Sequence, residues 1–236
     1  MKTTIILPVF NERDSLERNF PIIYKYMKDR TGSFAIIIAE DGSTDGSDAV
    51  ARRFSRLSNV HTIHGSARLG RGGALKKAIR MATGGVIGYT DIDLATPMRY
   101  VTLAIDKVME GNDVVAGSRY EPGSRISRSI LRLLGSKAYN FLLFALFGSR
   151  IKDHQCGFKF WKASYIKNAV AAISDNHWFF DSEMLIRAER RGARVFALPV
   201  AWKESRRTKV RLSDIPYFIN CMLRLRRSMS KKHATA

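Results

Sequence analysis

At 236 residues and 45% apolar composition the chain holds enough apolar mass for one large domain with a single core, and a second core is not required. Its two cysteines, Cys156 and Cys221, lie far apart without metal-ligand spacing, which excludes a disulfide framework and makes a reduced, cytosolic setting the default. The formal charge of +19 is uneven: residues 1–50 carry six Lys/Arg against eight Asp/Glu, whereas residues 201–236 carry ten Lys/Arg against Glu204 and Asp214 alone. Such a tail attracts polyanions, and charge by itself does not choose between nucleic acid and an anionic membrane leaflet.

The chain enters a β-like run at residues 3–9 with no cationic leader, apolar segment and cleavage site before it, so no signal peptide is expected. Short apolar runs then alternate with helix-like segments: 3–9 and 14–28; 35–39 and 45–56; 60–64 and 73–81; 86–90 and 98–109; then 114–116. Strands that are continuously apolar and separated by helices imply the α/β class, with a mostly parallel sheet covered on both faces. Ligands bind such sheets at the carboxyl ends of the strands. Asn11-Glu12, Glu40-Asp41-Gly42-Ser43 and Asp91/Asp93 all fall there.

After Arg119 a Gly/Pro/Ser/Arg stretch at 121–127 leads into a helix expected over 128–147, apolar all round from 141 to 147. The longest uncharged stretch, 138–149, is a dozen residues, and a spanning helix needs roughly 20. The chain is therefore expected to lie on a membrane rather than cross it. Strands are expected at 157–161 and 194–202, with helices near 162–173 and 181–191. A last helix, 213–229, places Ile215, Phe218, Ile219, Met222 and Leu223 on one stripe, with Arg224, Arg226 and Arg227 towards its end. This divides the chain into a domain over 1–212 and a basic amphipathic segment over 213–236.

The strand ending in Asp91-Ile-Asp93 carries the sharpest chemistry. Alternate residues of an extended backbone point the same way, so both carboxylates can reach one hard divalent cation and leave its other positions open for phosphate oxygens. A solvated turn is the plain alternative. Pro8-Val-Phe-Asn11-Glu12 closes the first strand, where Asn11 either caps the next helix or the loop meets a nucleotide. In Glu40-Asp41-Gly42-Ser43-Thr-Asp45-Gly46, Asp45 reads as a helix cap, but that does not account for two acids at a strand end. Arg68-Leu-Gly70-Arg71-Gly72-Gly-Ala74 sets glycines before a helix, a place for pyrophosphate contact that fits neither the Walker nor the Rossmann spacing. Arg128, Arg132, Ser136 and Asn140 recur every four residues, a polar line on a greasy helix that suits a lipid phosphate; solvated arginines on a surface helix are the alternative. Asp181 and Glu183 are well placed as a helix cap and a first-turn acid. The five histidines show no metal-ligand pattern, and Trp161, Trp178 and Trp202 read as packing anchors.

With Gly117-Ser-Arg119, Asp153-His-Gln-Cys-Gly-Phe-Lys159 and Trp178-Phe-Phe-Asp181-Ser-Glu183 added, these motifs run in order over about residues 4–210 and resemble family-2 glycosyltransferases of GT-A fold. The similarity is to their polyprenyl-phosphate branch, and within it to the dolichyl-phosphate β-glucosyltransferases. The resemblance implies a nucleotide sugar bound along Pro8, Asn11, Glu12, Asp41, Ser43, Gly70, Arg71, Gly72, Asp91 and Asp93, with Mg2+ or Mn2+ held by Asp91 and Asp93. It also implies a polyprenyl or dolichyl phosphate acceptor held by Arg119, Arg128, Arg132, Ser136 and Lys209. Asp93, Arg119, Arg132 and Asp181 become the catalytic candidates, Asp181 as an orienting group. Where related mannose synthases place a metal-binding glutamine, this chain has Ala95, and its Asp93-Leu-Ala-Thr ending is closer to the glucosyltransferase type, which favours UDP-glucose or a related UDP-sugar such as UDP-GlcNAc over GDP-mannose as donor. The expected setting is peripheral, on the cytosolic face of an anionic membrane. Nucleic acid is not an expected partner, because an acidic sheet edge repels a phosphate backbone. A sugar nucleotidyltransferase would share the metal and the nucleotide but would not need the greasy, arginine-lined helix.

Overall fold

The computed structural model describes residues 1–65, 67–203 and 212–233, without the side chains of 212 and 231–233. Its first half is β1 (Thr3–Val9), α1 (Arg13–Arg30), β2 (Phe34–Glu40), α2 (Ser47–Phe54), β3 (Val60–His64), α3 (Arg71–Met81), β4 (Val86–Thr90), α4 (Arg99–Met109) and β5 (Val114–Ser118). The second half is β6 (Arg125–Ser127), α5 (Ile130–Phe147), β7 (Phe158–Lys162), α6 (Ala163–Ala169), α7 (Phe180–Arg190), β8 (Val195–Pro199), β9 (Ala201–Lys203) and α8 (Ile215–His233).

Seven strands form one sheet in the order β3-β2-β1-β4-β7-β5-β8. Every pairing is parallel except those of β7, which runs antiparallel between β4 and β5. Because alternate strand residues face opposite ways, β1 sends Ile5 and Leu7 to one side and Ile6 to the other. Ile5 and Leu7 meet Leu16 and Phe20 of α1, Val50 of α2 and Val101 of α4, while Ile6 meets Leu75 of α3, Ile166 of α6 and Leu185 of α7. Both sheet faces are thus buried, as the uninterrupted apolar strands require.

Three features differ from the sequence expectation. The apolar run at 194–202 is split at Val200 into β8 and β9, and β9 pairs in parallel with the short β6, so that a two-stranded ribbon stands beside the main sheet. The expected helix 128–147 begins at Ile130, after Arg128. The apolar stripe of the last helix is divided between two environments. Phe218 and Met222 are buried against Leu143 and Phe147 of α5 and Phe179 and Ile186 nearby, whereas Ile215, Ile219 and Leu223 are exposed.

The 18 residues of α5 form a marginal case for a membrane span: by length and composition it alone qualifies among the described residues, with 22% of it buried. At 1.5 Å per residue it reaches about 27 Å, short of the ~30 Å hydrocarbon layer. One side of it packs on α7 and α8 through Leu143 and Phe147, and the other exposes Ile130, Leu131, Leu134, Phe141 and Phe144.

Candidate active site

The carboxyl ends of β1, β2 and β4 lie side by side, and hydrogen bonds lock the loops that leave them. Asn11, at φ 51°, donates its backbone N–H to Ser43 Oγ at 3.0 Å and accepts the Thr44 N–H on Oδ1 at 2.9 Å. It ties two loops together and caps no helix. Asp45 accepts the Arg13 N–H and the Ser47 N–H, each at 3.0 Å, so one carboxylate secures the starts of both α1 and α2. Glu12 accepts the Ser15 hydroxyl at 2.8 Å, and Glu40 is buried between the Ser43 N–H and His64 Nδ1, each at 2.5 Å. Asp41, 3% exposed, accepts the Leu69 N–H at 2.7 Å; burial raises its carboxyl above the ordinary value, with the Leu69 and Gly70 N–H groups working against that. Pro8 lies opposite Ala39 at the end of the β1–β2 ladder.

Asp91 and Asp93 stand just beyond β4, both half-buried. The Asp91 backbone N–H donates to Gly157 O at 3.1 Å, and a Cβ at Gly157 would fall 1.8 Å from Asp91 Oδ2. The antiparallel sense of β7 produces this contact: with Phe158 opposite Thr90, the preceding Gly157 meets the carboxylate. On its other oxygen, Oδ1, Asp91 takes Arg71 Nη2 at 2.6 Å. Asp93 Oδ1 accepts the Ala95 N–H at 3.0 Å. Burial raises the Asp93 carboxyl above its ordinary value, and repulsion from Asp91 and Glu12 adds to the rise.

These two acids suit a hard divalent cation, because a cation relieves the repulsion that now penalises Asp93 and both donors are oxygens. Among the described residues no three His, Cys, Asp or Glu side chains form a ready ligand set. Asp91 and Asp93 would therefore supply two ligands, leaving the rest to water and donor phosphate, and the Ala95 position offers no side-chain donor.

The glycine run before α3 serves close packing. A Cβ at Gly70 would fall 2.1 Å from His177 Nδ1, and one at Gly72 would fall 2.7 Å from Phe180 Cβ. The Gly73 N–H is already taken by Asn176 O at 2.8 Å. Of the phosphate-facing groups expected here, the structure turns Arg71 towards the acids, with its guanidinium 5.3 Å from the Tyr89 ring and 5.8 Å from the Trp178 ring. Burial opposes the Arg71 charge, but Asp91 and then Tyr89 and Asp181 outweigh it and hold the guanidinium firmly protonated.

Asp181 caps nothing. It is buried, accepts the Tyr89 hydroxyl, and lies 3.4 Å from Lys159 Nζ, which also donates to His154 O at 3.0 Å and Cys156 O at 2.7 Å. Glu183 accepts the Ser174 and Asp175 N–H groups and pairs with Arg187 at 2.7 Å, a structural duty that fills its oxygens.

The expected acceptor residues do not form one line. Arg119, 5% exposed, grips Asp153 with Nε and Nη2, each at 2.7 Å, which engages two of the five guanidinium N–H groups. Its guanidinium lies 5.1 Å from the Trp202 ring, and that of Arg128 lies 5.4 Å from the same ring. Ser136 and Asn140 face inward, and Asn140 Oδ1 accepts both the backbone N–H and Nδ1 of His154. Burial, with Lys159 nearby, lowers the His154 pKa to about 3, so the ring is neutral. Arg132 lies on the exposed side of α5, and Lys209 falls outside the described residues. Sequence reasoning missed Gly157, Tyr89, Lys159 and the Arg-flanked Trp202. The lysine inside Phe-Lys159-Phe-Trp was the readable signal, since a charge within an apolar strand needs buried partners.

Solved structures share this architecture. Glucosyl-3-phosphoglycerate synthase from Mycobacterium tuberculosis, in complex with Mn2+, UDP and glucosyl-3-phosphoglycerate, superposes with a TM-score of 0.66 at 16% identity, over 95% of this chain and 78% of that one. Mannosyl-3-phosphoglycerate synthase from Rubrobacter xylanophilus gives 0.71 at 16% identity, over 100% of this chain and 76% of that one. The fold is thus the mostly parallel GT-A sheet with helices on both faces. In sequence, glycosyltransferase AglD of Haloferax volcanii is 36% identical over 216 residues, which are 90% of this chain but 35% of AglD. Dolichyl-phosphate beta-glucosyltransferase ALG5D of Trichomonas vaginalis is 28% identical over 225 residues, 90% of this chain and 69% of that relative. The chain therefore spans about a third of one of these relatives and about two thirds of the other. Residues 4–171, well over half of the chain, match the Glycosyl transferase family 2 domain, and the chain belongs to that family.

Proposed function

We propose that the chain transfers a hexose, with inversion, from a nucleotide sugar to a polyprenyl or dolichyl phosphate at the cytosolic face of a membrane, with Mg2+ or Mn2+ as cofactor. The observation that carries this reading is the pairing of Asp91 and Asp93, mutually repelling acids at the strand ends, in the same domain as an arginine-flanked helix with an exposed apolar face. UDP-glucose is the favoured donor, supported by the similarity to dolichyl-phosphate glucosyltransferases and by a fold shared with an enzyme solved with Mn2+ and UDP. GDP-mannose and UDP-GlcNAc are the alternatives.

In this reading Glu12, Asp41, Ser43 and the loop after Pro8 border the nucleoside, Arg71 with the backbone of Gly70 and Gly72 borders the diphosphate, and Asp91 and Asp93 hold the metal. When bound, the metal offsets the charge that builds on the departing nucleoside diphosphate. Arg119, Arg128, Arg132, Ser136 and Lys209 draw in the acceptor phosphate, and Arg119 is held at a fixed angle by Asp153. A phosphate oxygen is already anionic near neutral pH, so attack on the anomeric carbon needs no strong base. Asp181, already occupied by Tyr89 and Lys159, then orients its neighbours instead of taking a proton. Positioning and electrostatics supply the rate. The exposed faces of α5 and of α8, within the basic segment 213–236, rest on the anionic leaflet.

The direct test incubates the protein and Mn2+ with radiolabelled UDP-glucose, UDP-GlcNAc or GDP-mannose, and with polyprenyl phosphate or 3-phosphoglycerate. Label passing from UDP-glucose into the lipid phase is expected. Label passing only to the soluble acceptor would refute the lipid assignment.

A further inference from the structure

Asp91 offers a single negative charge to two cations, the Arg71 guanidinium and a divalent metal. Oδ1 is held by Arg71 Nη2 at 2.6 Å. Oδ2 is backed against Gly157, so closely that a single added carbon there would fall 1.8 Å away. A metal approaching Asp91 therefore meets a carboxylate whose charge a guanidinium already neutralises. Arg71 is no loose surface charge. It is the first residue of α3, its side chain is 17% exposed, and it lies over the rings of Tyr89 and Trp178, with the Tyr89 hydroxyl itself fixed by Asp181.

We infer that Arg71 is a displaceable internal counter-cation, which competes with the divalent metal for Asp91 and releases it when a nucleoside diphosphate offers the guanidinium a phosphate instead. This rests on the reading that Asp91 and Asp93 hold the metal. A guanidinium fork matches phosphate oxygens at least as well as a carboxylate, so the exchange keeps the arginine paired while it frees Asp91. Metal and diphosphate then bind as a unit. Free metal must break the Arg71 pair with nothing to receive the guanidinium, and free nucleotide must approach repelling acids without a cation. By linkage each ligand strengthens the other by the same factor, and couplings of this type run from about 5- to 150-fold.

The test measures binding, without turnover. Mn2+ alone, UDP alone and UDP at saturating Mn2+ are titrated into the wild type, Arg71→Gln, Arg71→Lys and Asp93→Ala, using electron paramagnetic resonance for free Mn2+ and calorimetry for UDP. Arg71→Gln should bind Mn2+ alone about tenfold more tightly than wild type, yet bind UDP at saturating Mn2+ about tenfold more weakly. Its metal–nucleotide coupling should fall to the part that direct metal–phosphate attraction supplies. Arg71→Lys, which keeps a charge but loses the fork, should fall between the two and serves as the folded control if the glutamine variant is unstable. If Asp93→Ala abolishes Mn2+–UDP binding while Arg71→Gln and Arg71→Lys leave Mn2+ affinity at the wild-type level, the counter-cation role is wrong and the metal site stands. If Asp93→Ala binds Mn2+–UDP like wild type, the metal site itself is wrong and this inference falls with it.

Discussion

Asp41 and Asp45 each accept a backbone N–H from a neighbouring loop, whereas along α5 large apolar side chains stand exposed and the polar residues divide between interior and surface. The first arrangement is held because the buried Asp41 carboxylate must be satisfied, while the exposed Asp45 ties two helix starts together, and these bonds fix the loops that carry them. The second needs an apolar partner to cover it, and Leu131, 84% exposed, is what an element facing lipid would show. On the proposed function, the first region would border the nucleotide sugar and the second a long, flexible anion.

The comparison breaks first at the joint between the halves, where Asp153 holds Arg119. Asp153→Ala leaves a nearly buried guanidinium unpaired and should cost about 3–5 kcal/mol of stability in denaturant titration. A loss below ~1 kcal/mol would show that Arg119 finds water or another anion.

On the donor side, Asp93→Ala should lower transfer about a thousandfold, equivalent to about 4 kcal/mol, with the fold retained. Asp93→Asn adds a pH signature. The Asp93 carboxyl is raised in the folded state by burial and by Asp91, so its contribution to stability is fully present below its ordinary pKa of 3.8 and is lost as pH rises through the raised folded value. Asp93→Asn should therefore melt above wild type at neutral pH, and the difference should vanish below pH 3.8. A bound metal relieves the repulsion from Asp91 and requires the ionised form, so the acid limb of the wild-type activity should move to lower pH as Mn2+ is raised. A melting temperature that tracks wild type across the whole range would contradict the crowding of acids inferred here.

Gly157→Ala sharpens the comparison at a position with no polar side chain. The new methyl must push Asp91 away, so transfer should fall about 10- to 100-fold and the Mn2+ requirement should rise, since small misplacements of reacting geometry have effects of that size. An unchanged metal requirement would mean that Asp91 does not touch the cation.

The acceptor face should yield smaller, additive effects. Replacing Phe141 and Phe144 by Ser should weaken flotation with anionic vesicles by about 1.5–3 kcal/mol per ring buried in the leaflet. Arg132 and Lys137 are both exposed on α5, and Arg132→Gln or Lys137→Gln should cost about 1 kcal/mol each, an effect that should disappear in high salt. Vesicle binding indifferent to all four changes would remove α5 from the membrane.

The α/β alternation was readable because fully buried strands are apolar at every position, and the acids at strand ends were readable because Asp91 and Asp93 interrupt such runs. Individual duties were less legible. Glu40 looks like a site acid in sequence and is spent on the Ser43 N–H and on His64, which only the folded loops bring within reach, whereas Asp45 meets the start of α2 as its sequence suggests. The four-residue spacing of Arg128, Arg132, Ser136 and Asn140 suggested one face, but the helix starts after Arg128 and its inner side is set by packing on α7 and α8. β6 and β9 are three residues each and pair with each other across more than seventy positions, a contact that no local pattern announces.

Diffraction from crystals soaked with UDP and Mn2+, recorded for the manganese anomalous signal, tests the central claim most directly. The account predicts one strong peak within coordination distance of both Asp91 and Asp93, with the diphosphate against it and Arg71 turned from Asp91 to a phosphate oxygen. A diphosphate bound elsewhere, with both carboxylates remote from any manganese peak, would contradict it.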